Sequence, residues 1–278
     1  MNQVDRFLGR HAIITGGSSG IGLALARLLV KNGANLCIIG RDSKKLQDSV
    51  VFLEQYKHNP NQFITSLQMD VSDWDQVNTK LKDYLSQSPS VDFLFNSAGV
   101  VHPGKFEDLD ISKFAWMIHI NYLGTVYPTK VVIPNMIEKR SGHIINISSV
   151  AGYMGVYGYT AYSASKFAVR GFSDALRSEM RLHNINLSIV FPPDTQTPQL
   201  EYETPYKPAI TKALAGNKVL SAEYVANFIL KKVAQGKYII TPGFESTLYF
   251  YLQGWLGELN YPLMDYLVKK AHEKVTTH

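Results

Sequence analysis

The sequence predicts a single α/β domain built on a doubly wound parallel sheet, and three observations carry the prediction. Short apolar runs rich in β-branched residues alternate with helical stretches along most of the chain. Those runs are apolar almost throughout, as strands buried on both faces are, instead of alternating with polar residues. No Ser/Gly linker, internal repeat or break in composition divides the 278 residues, a length that can bury one large core.

The first strand is "HAIIT" (His11–Thr15), and it leads into "GIGLALARLLVKNG". There Ile21, Leu25, Leu28 and Leu29 share one helical face, and Gly33 ends the helix. "NLCIIG" is the second strand, followed by a charged helix from about Asp42 to Lys57. "QFITSLQMD" is the third strand. "SDWDQVNTKLKDYLSQS" is a helix capped at Ser72 or Asp73, whose side-chain oxygens suit the free N–H groups of a first turn. "VDFLFNSAG", "GHIINISS" and "NINLSIVFPP" are the fourth to sixth strands, and "GKYIITPG" is a last edge strand. From about Gly243 the pattern stops, so residues 1–243 are expected to form the domain and 244–278 an apolar C-terminal extension.

Composition narrows the function classes. Hydrophobic residues make up 45% and charged ones 18%, which fits a globular chain and not a disordered one. A single cysteine, Cys37, excludes an internal disulfide framework and a thiolate metal cluster, and cytoplasmic or cytosol-facing residence is the simpler expectation. The net charge of +5 permits weak attraction to anionic surfaces. The lysines and arginines are scattered, however, so no stripe tracks a phosphate backbone and no nucleic-acid partner is expected. The first residues, "MNQVDRFLGRHAIITGG", lack the apolar run of a signal peptide, and nowhere do about 18 uninterrupted apolar residues make a membrane span. The eight histidines show no paired ligand spacing, so no metal is expected; His143 and His183 read as surface or strand-edge residues.

"TGGSSGIG" (Thr15–Gly22) lies between the first strand and the first helix. Glycines 16, 20 and 22 allow a tight turn and let a pyrophosphate approach the backbone, where the helix offers free N–H groups and its positive end. The fold expected is therefore of the Rossmann type, with a dinucleotide at this turn. At the end of the second strand an acidic residue would bind a ribose 2′-hydroxyl, whereas an arginine accommodates a 2′-phosphate. Here the strand ends "IIGRD", with Gly40 where an aspartate would exclude phosphate and Arg41 next, so NADP(H) is expected over NAD(H). The bland alternative is that Arg41 is a solvated loop charge and Asp42 only caps the next helix.

Together, seven segments resemble the short-chain dehydrogenase/reductase family, from about residue 10 to 240 and in that family's order. They are "TGGSSGIG", Asp70 in "MDVSD", "NSAG" (Asn96–Gly99), Asn121 in "INYLG", "ISS" ending at Ser149, Tyr162 with Lys166, and "PPDTQTP" (Pro192–Pro198). Ser97 stands where the family usually has asparagine, and Pro193 where glycine is usual, which stiffens that loop. Within the family the phrasing is most similar to the 3-ketodihydrosphingosine reductases. The resemblance implies cofactor contacts from Gly16, Ser18, Ser19, Gly20, Ile21 and Gly22, and from Arg41, Asp70, Val71, Asn96 and Gly99. It implies others from Pro192, Thr195 and Thr197, and from Tyr162 and Lys166, which also serve catalysis. A homodimer or homotetramer is typical of such look-alikes.

Three tyrosines lie between Tyr157 and Tyr162, and only Tyr162 has a lysine, Lys166, four residues on and so on the same helical face. Thr160 is the expected N-cap. A free phenol has a pKa near 10, and a neighbouring ammonium and the positive oxidised nicotinamide are together expected to lower it, making Tyr162 the proton donor. Ser149, at the family's serine position, would hydrogen-bond the substrate carbonyl oxygen, while Ser148 points the other way and is structural. By resemblance, Lys166 also holds the nicotinamide ribose, and the Asn121 carboxamide holds a water that links Lys166 to solvent. A helix-interior polar residue satisfied locally is the alternative for Asn121.

The segment after "PPDTQTP", 195–216, is expected to be a substrate lid. "STLYFYLQGWLGELNYPLMDYLVKK" (Ser246–Lys270) is dense in Leu, Tyr, Phe and Trp but too broken to span a bilayer. Either it gives an apolar way in for a long-chain substrate, peripheral on a membrane with Lys269 and Lys270 near the headgroups, or it packs on its own core or another subunit. The expected activity is NADPH-dependent reduction of an apolar, lipid-like ketone, with 3-ketodihydrosphingosine, giving dihydrosphingosine, favoured by resemblance. Alternatives are a 3-oxoacyl thioester or steroid-type ketone, or a non-catalytic NADP(H) sensor, against which the intact Ser149, Tyr162 and Lys166 argue.

Overall fold

The computed structural model describes residues 6–214 and 219–276. Seven parallel strands form one sheet in the order β3-β2-β1-β4-β5-β6-β9. They are β1 (His11–Thr15), β2 (Asn35–Gly40), β3 (Ile64–Gln68), β4 (Phe93–Asn96), β5 (Gly142–Ile147), β6 (Ile185–Val190) and β9 (Ile239–Ile240). A separate pair, β7 (Thr195–Gln196) with β8 (Leu220–Ser221), brackets the lid. The doubly wound Rossmann-type sheet expected from the sequence is thus the one observed.

Helices cover both faces. On one side α1 (Gly20–Lys31), α2 (Ser43–Glu54) and α8 (Ala222–Ala234) bury Leu25, Leu29, Leu46, Val225 and Ile229 against the sheet. On the other, α3 (74–87), α4 (111–139) and α5 (Thr160–Arg181) bury Val77, Leu81, Val132, Met136 and Leu176. Each such side chain contributes roughly 1.5–3 kcal/mol by leaving water, and every residue of β1 is buried, which explains why the runs do not alternate. Gly33 takes φ +84 at the end of α1, a left-handed turn that favours glycine. Asp42 caps α2 by accepting from the Lys45 N–H, and Asp73 caps α3 through the Gln76 N–H.

Several boundaries differ from the sequence reading. The charged helix stops at Glu54, short of Lys57. Thr160 is not the N-cap of α5: the Ser163 N–H donates to the Tyr159 carbonyl at 2.7 Å, so the helix starts one residue earlier, with Tyr159 in the cap position. His143 is not at the surface. It lies in β5, between β4 and β6, and is 1% exposed, with Nε2 2.8 Å from Ser188 Oγ. Because Ser188 already donates to the Lys237 carbonyl, His143 donates to it, and burial pushes the imidazole down to about 3, holding it neutral.

Within α4 a wide π-turn spans Ile118–Leu123 and contains Asn121. Pro128 and Pro134 follow inside the same helix, each removing one N–H donor. Beyond the sheet, α6 (Pro198–Glu203), a turn at Thr204–Tyr206 and α7 (Ala209–Leu214) occupy the segment expected to be a lid, whose end at 215–216 lies outside the described residues, as do residues 1–5. Two further helices, α9 (Phe244–Leu256) and α10 (Asn260–Thr276), close the chain. Phe250 docks α9 on Tyr153 and Phe191, with ring centroids 5.1 and 5.5 Å away, and the Tyr153 hydroxyl donates to the Ser246 carbonyl. α10 packs on the lid helix α7. Among the described residues no helix is long and apolar enough to cross a membrane.

Candidate active site

The strand order reverses between β1 and β4, and the crevice at such a point, beyond the carboxyl ends of the strands, is where this architecture binds ligands. Thr15 Oγ1 accepts from the Ser97 and Ala98 N–H groups, both at 3.1 Å, and so holds the loop after β4 against the glycine turn. The approach leaves no room for side chains. A Cβ on Gly16, which also has φ +68, would lie 2.9 Å from the Ala98 backbone, and one on Gly22 would lie 2.2 Å from the Gly16 carbonyl oxygen. The Ser19 side chain does not cap α1, and no acidic residue lies in its first turn. The positive helix end and its unpaired N–H groups are therefore left for an anion.

A cavity of about 570 Å³ opens there, within the roughly 300–1,000 Å³ of small-molecule sites. The glycine turn lines it through Gly16, Ser19, Gly20, Ile21 and Gly22. Gly99 lies on the β4 side, and Pro192, Thr195 and Thr197 line it after β6. Ser149, Tyr162 and Lys166 line it too, as do Leu252, Leu256, Leu263 and Leu267 of α9 and α10. The other expected cofactor residues lie outside this cavity. Ser18 faces the end of β2, its Oγ 3.3 Å from where a Gly40 Cβ would be. Arg41 reaches to 3.8 Å from Asp70, whose Oδ1 also accepts from the Ser72 N–H and hydroxyl. Val71 is buried in the core against Gly124. Asn96 is buried as well, with both amide hydrogens committed to Thr129 and Asn146, so it braces the end of β4.

Tyr162 and Lys166 sit in the first two turns of α5, 7% and 5% exposed. The Ser148 hydroxyl donates to the Lys166 carbonyl at 3.0 Å, which commits it to structure and ties the end of β5 to this helix. Ser149 accepts from the Ala151 N–H at the start of a short turn, and its hydroxyl faces Tyr162. Burial lowers the Lys166 ammonium to about 8, and its nitrogen donates to the Ile147 carbonyl at 3.1 Å. The expected lowering of the Tyr162 phenol is not found: burial pushes it up, hydrogen bonds with Ser149 and Gln199 oppose the rise, and the charges of Glu203 and Asp194 add to it. Sequence spacing shows the ammonium but not the loss of water, which here outweighs it. The consequence is a phenol that keeps its proton.

Asn121 is tied into its surroundings through both ends of its carboxamide. Its amide donates to the Val100 carbonyl and to Ser165 Oγ, both at 2.9 Å, and its Oδ1 accepts from the Val100 N–H at 2.8 Å. The Ser165 hydroxyl passes on to the Tyr162 carbonyl at 2.7 Å. Both amide hydrogens are committed, so the carboxamide braces α4 against α5, while its Oδ1 keeps one lone pair beyond the Val100 N–H. A Cβ on Gly99 would lie 3.3 Å from Asn121 Oδ1 and 3.4 Å from Lys166 Nζ, so the glycine leaves open the space on which both converge.

Five residues that the sequence reading did not select stand at the same site: Tyr159, Asp194, Gln199, Glu203 and Lys207. Glu203 is buried, accepts from the Tyr159 hydroxyl at 3.3 Å and pairs with Lys207 at 3.2 Å. Lys207 also pairs with Asp194 at 2.9 Å. Burial raises the Glu203 carboxyl against the pull of Lys207, while Asp194 and Glu203 outweigh burial and raise Lys207. The i,i+4 spacing of Glu203 and Lys207 is the one sequence signal for this pair; nothing in sequence points to Tyr159 as its partner.

The strand order, the glycine turn and the buried Ser–Tyr–Lys corner define an NAD(P)-binding oxidoreductase of the Rossmann type. A family model for short chain dehydrogenase matches residues 10–207, and the chain belongs to that family. It is 41% identical over 232 residues to a 3-dehydrosphinganine reductase of Danio rerio, spanning 83% of this chain and 70% of the relative. Over the same shares it is 40% identical to a 3-ketodihydrosphingosine reductase of Bos taurus. The solved structure of ElxO with NADP bound superposes with a TM-score of 0.73 at 27% identity, covering 84% of this chain and 97% of that one.

Proposed function

We propose that this protein reduces the ketone of a long-chain lipid, 3-ketodihydrosphingosine, to the secondary alcohol with NADPH. The observation that carries the substrate class is the lining of the cavity: Ser149 and Tyr162 share it with Leu252, Leu256, Leu263 and Leu267 of α9 and α10, so a polar reacting end and an apolar tail fit one space. The names of the relatives point to the same substrate.

The residues fit the cofactor. Gly16 and Gly22 leave a cradle that a Cβ would fill, the uncapped N-terminus of α1 suits the pyrophosphate, and Gly40 with Arg41 suits a 2′-phosphate. The chemistry that a reduced nicotinamide supplies when bound is hydride donation. The chain's own residues do the rest. Tyr162 keeps its proton through burial and hands it to the carbonyl oxygen. The Ser149 hydroxyl donates to the same oxygen and stabilises the charge that develops there. Lys166, fixed by the Ile147 carbonyl, offsets the charge left on Tyr162, and Asn121 holds α5 in place through Ser165. Ketone, hydride and proton together give the alcohol.

In this proposal the outer face of α9 and α10 lies on a lipid surface. Phe244, Tyr251 and Trp255 of α9, Tyr261 and Tyr266 of α10, and Leu259 in the turn between them are all exposed, and large exposed apolar side chains in such number mark interaction sites. The same helices wall the cavity, so an alkyl tail passes between them from lipid to Tyr162 without crossing water. The test of substrate is product analysis with 3-ketodihydrosphingosine beside a 3-oxoacyl thioester, each with NADPH and NADH. Turnover of the thioester alone would refute the substrate.

A further inference from the structure

One buried carboxylate on the cavity wall has no part in this proton transfer. Glu203 is 6% exposed and lines the same cavity as Ser149 and Tyr162. The Tyr159 ring that donates to it meets the Tyr162 ring edge-on, with centroids 5.8 Å apart. Glu203 and Asp194 share the single ammonium of Lys207, at 3.2 and 2.9 Å, so two carboxyl groups stand against one ammonium. Lys166, on the other side, is turned to the Ile147 carbonyl.

Stability does not account for this arrangement, because the desolvation of a buried ion pair offsets most of its Coulomb gain. For a neutral ketone it is adverse. Negative charge develops at the carbonyl oxygen and then on Tyr162, and Glu203 and Asp194 both act on that phenol against its ionisation. A substrate that carries its own cation beside the carbonyl reverses the sign, since its charge pairs with the excess carboxylate and faces the developing oxyanion. A long-chain ketone with an amine on the carbon next to the carbonyl is such a substrate, and amines of this kind are ammonium ions at neutral pH.

We propose that Glu203, sharing Lys207 with Asp194, binds the substrate's ammonium and so makes the site select 2-amino ketones over neutral ketones of the same length. The inference rests on the substrate reading above and adds the group that discriminates.

The test compares kcat/KM for 3-ketodihydrosphingosine and its N-acetyl derivative, which lacks the charge, in the parent enzyme and in Glu203→Gln and Glu203→Asp. The parent is expected to prefer the amine at least tenfold, Glu203→Gln to lose that preference by tenfold or more, and Glu203→Asp to retain most of it. An unchanged preference in Glu203→Gln overturns the anchor, whatever the absolute rates. Should Glu203→Gln not fold, inhibition of the parent enzyme decides: dihydrosphingosine is expected to inhibit at least tenfold more tightly than its N-acetyl form, and equal inhibition overturns the anchor. Turnover of 3-ketodihydrosphingosine with an unchanged preference fails the anchor alone. A parent enzyme that reduces only neutral ketones fails the substrate reading and the anchor with it.

Discussion

The Lys166 ammonium lies 5.7 Å from the centroid of the Tyr162 ring, one helical turn away on α5, with both side chains shut off from water. Burial acts on the two in opposite senses, lowering the ammonium and raising the phenol. Under the proposed function, the pair is thereby set for a tyrosine that starts each turnover protonated.

Replacing Tyr162 by Phe removes that proton and little else, because the ring packing stays. The rate of ketone reduction is expected to fall by about 10²–10⁴-fold, the usual worth of a positioned general acid. NADPH affinity, read by fluorescence titration, should stay within about twofold. A parental rate in this variant would mean that the ring only packs.

Arg41 stands at the end of β2 with its guanidinium 3.8 Å from Asp70. The variant Arg41→Ala is expected to weaken NADPH binding by about tenfold, the low end for a charged hydrogen bond at an exposed position, and to leave NADH nearly unchanged. Equal losses for the two cofactors, measured by calorimetry, would remove Arg41 from 2′-phosphate recognition.

His143 makes stability depend on pH. Its folded pKa of about 3 lies below the ordinary 6.5, so as pH falls through 6.5 the unfolded chain takes up a proton that the folded chain refuses. Stability is therefore complete above that point and declines below it, by roughly 2 kcal/mol at pH 5 from this residue. Urea midpoints at pH 7.5 and 5 should converge less in the parent than in His143→Gln, in which this loss is missing. Identical pH responses would show that the imidazole is not held neutral.

Tyr251 and Trp255 are 67% and 83% exposed on the outer face of α9. Changing both to Asp is expected to abolish co-sedimentation with phosphatidylcholine vesicles while NADPH binding persists. Unchanged sedimentation would sink the lipid surface. A shift from dimer to monomer in the variant would instead make this face a contact between copies.

Much of this protein is legible in one dimension. Strand order along the chain, the glycine turn at 16–22, the Gly40–Arg41 pair and the Tyr162–Lys166 spacing are local patterns, and local patterns follow from helical and strand periodicity and from backbone freedom. Thr160 and His143 differ from the sequence reading because the properties at issue are set by contacts from elsewhere: the Tyr159 carbonyl, and the flanking strands β4 and β6. The direction in which the Tyr162 phenol moves belongs to the same class, since desolvation depends on everything that surrounds the ring. So does the carboxylate at the reacting end. Glu203 meets Tyr159 across 44 residues of chain, and only the folding of the lid over the sheet brings an acid to that tyrosine.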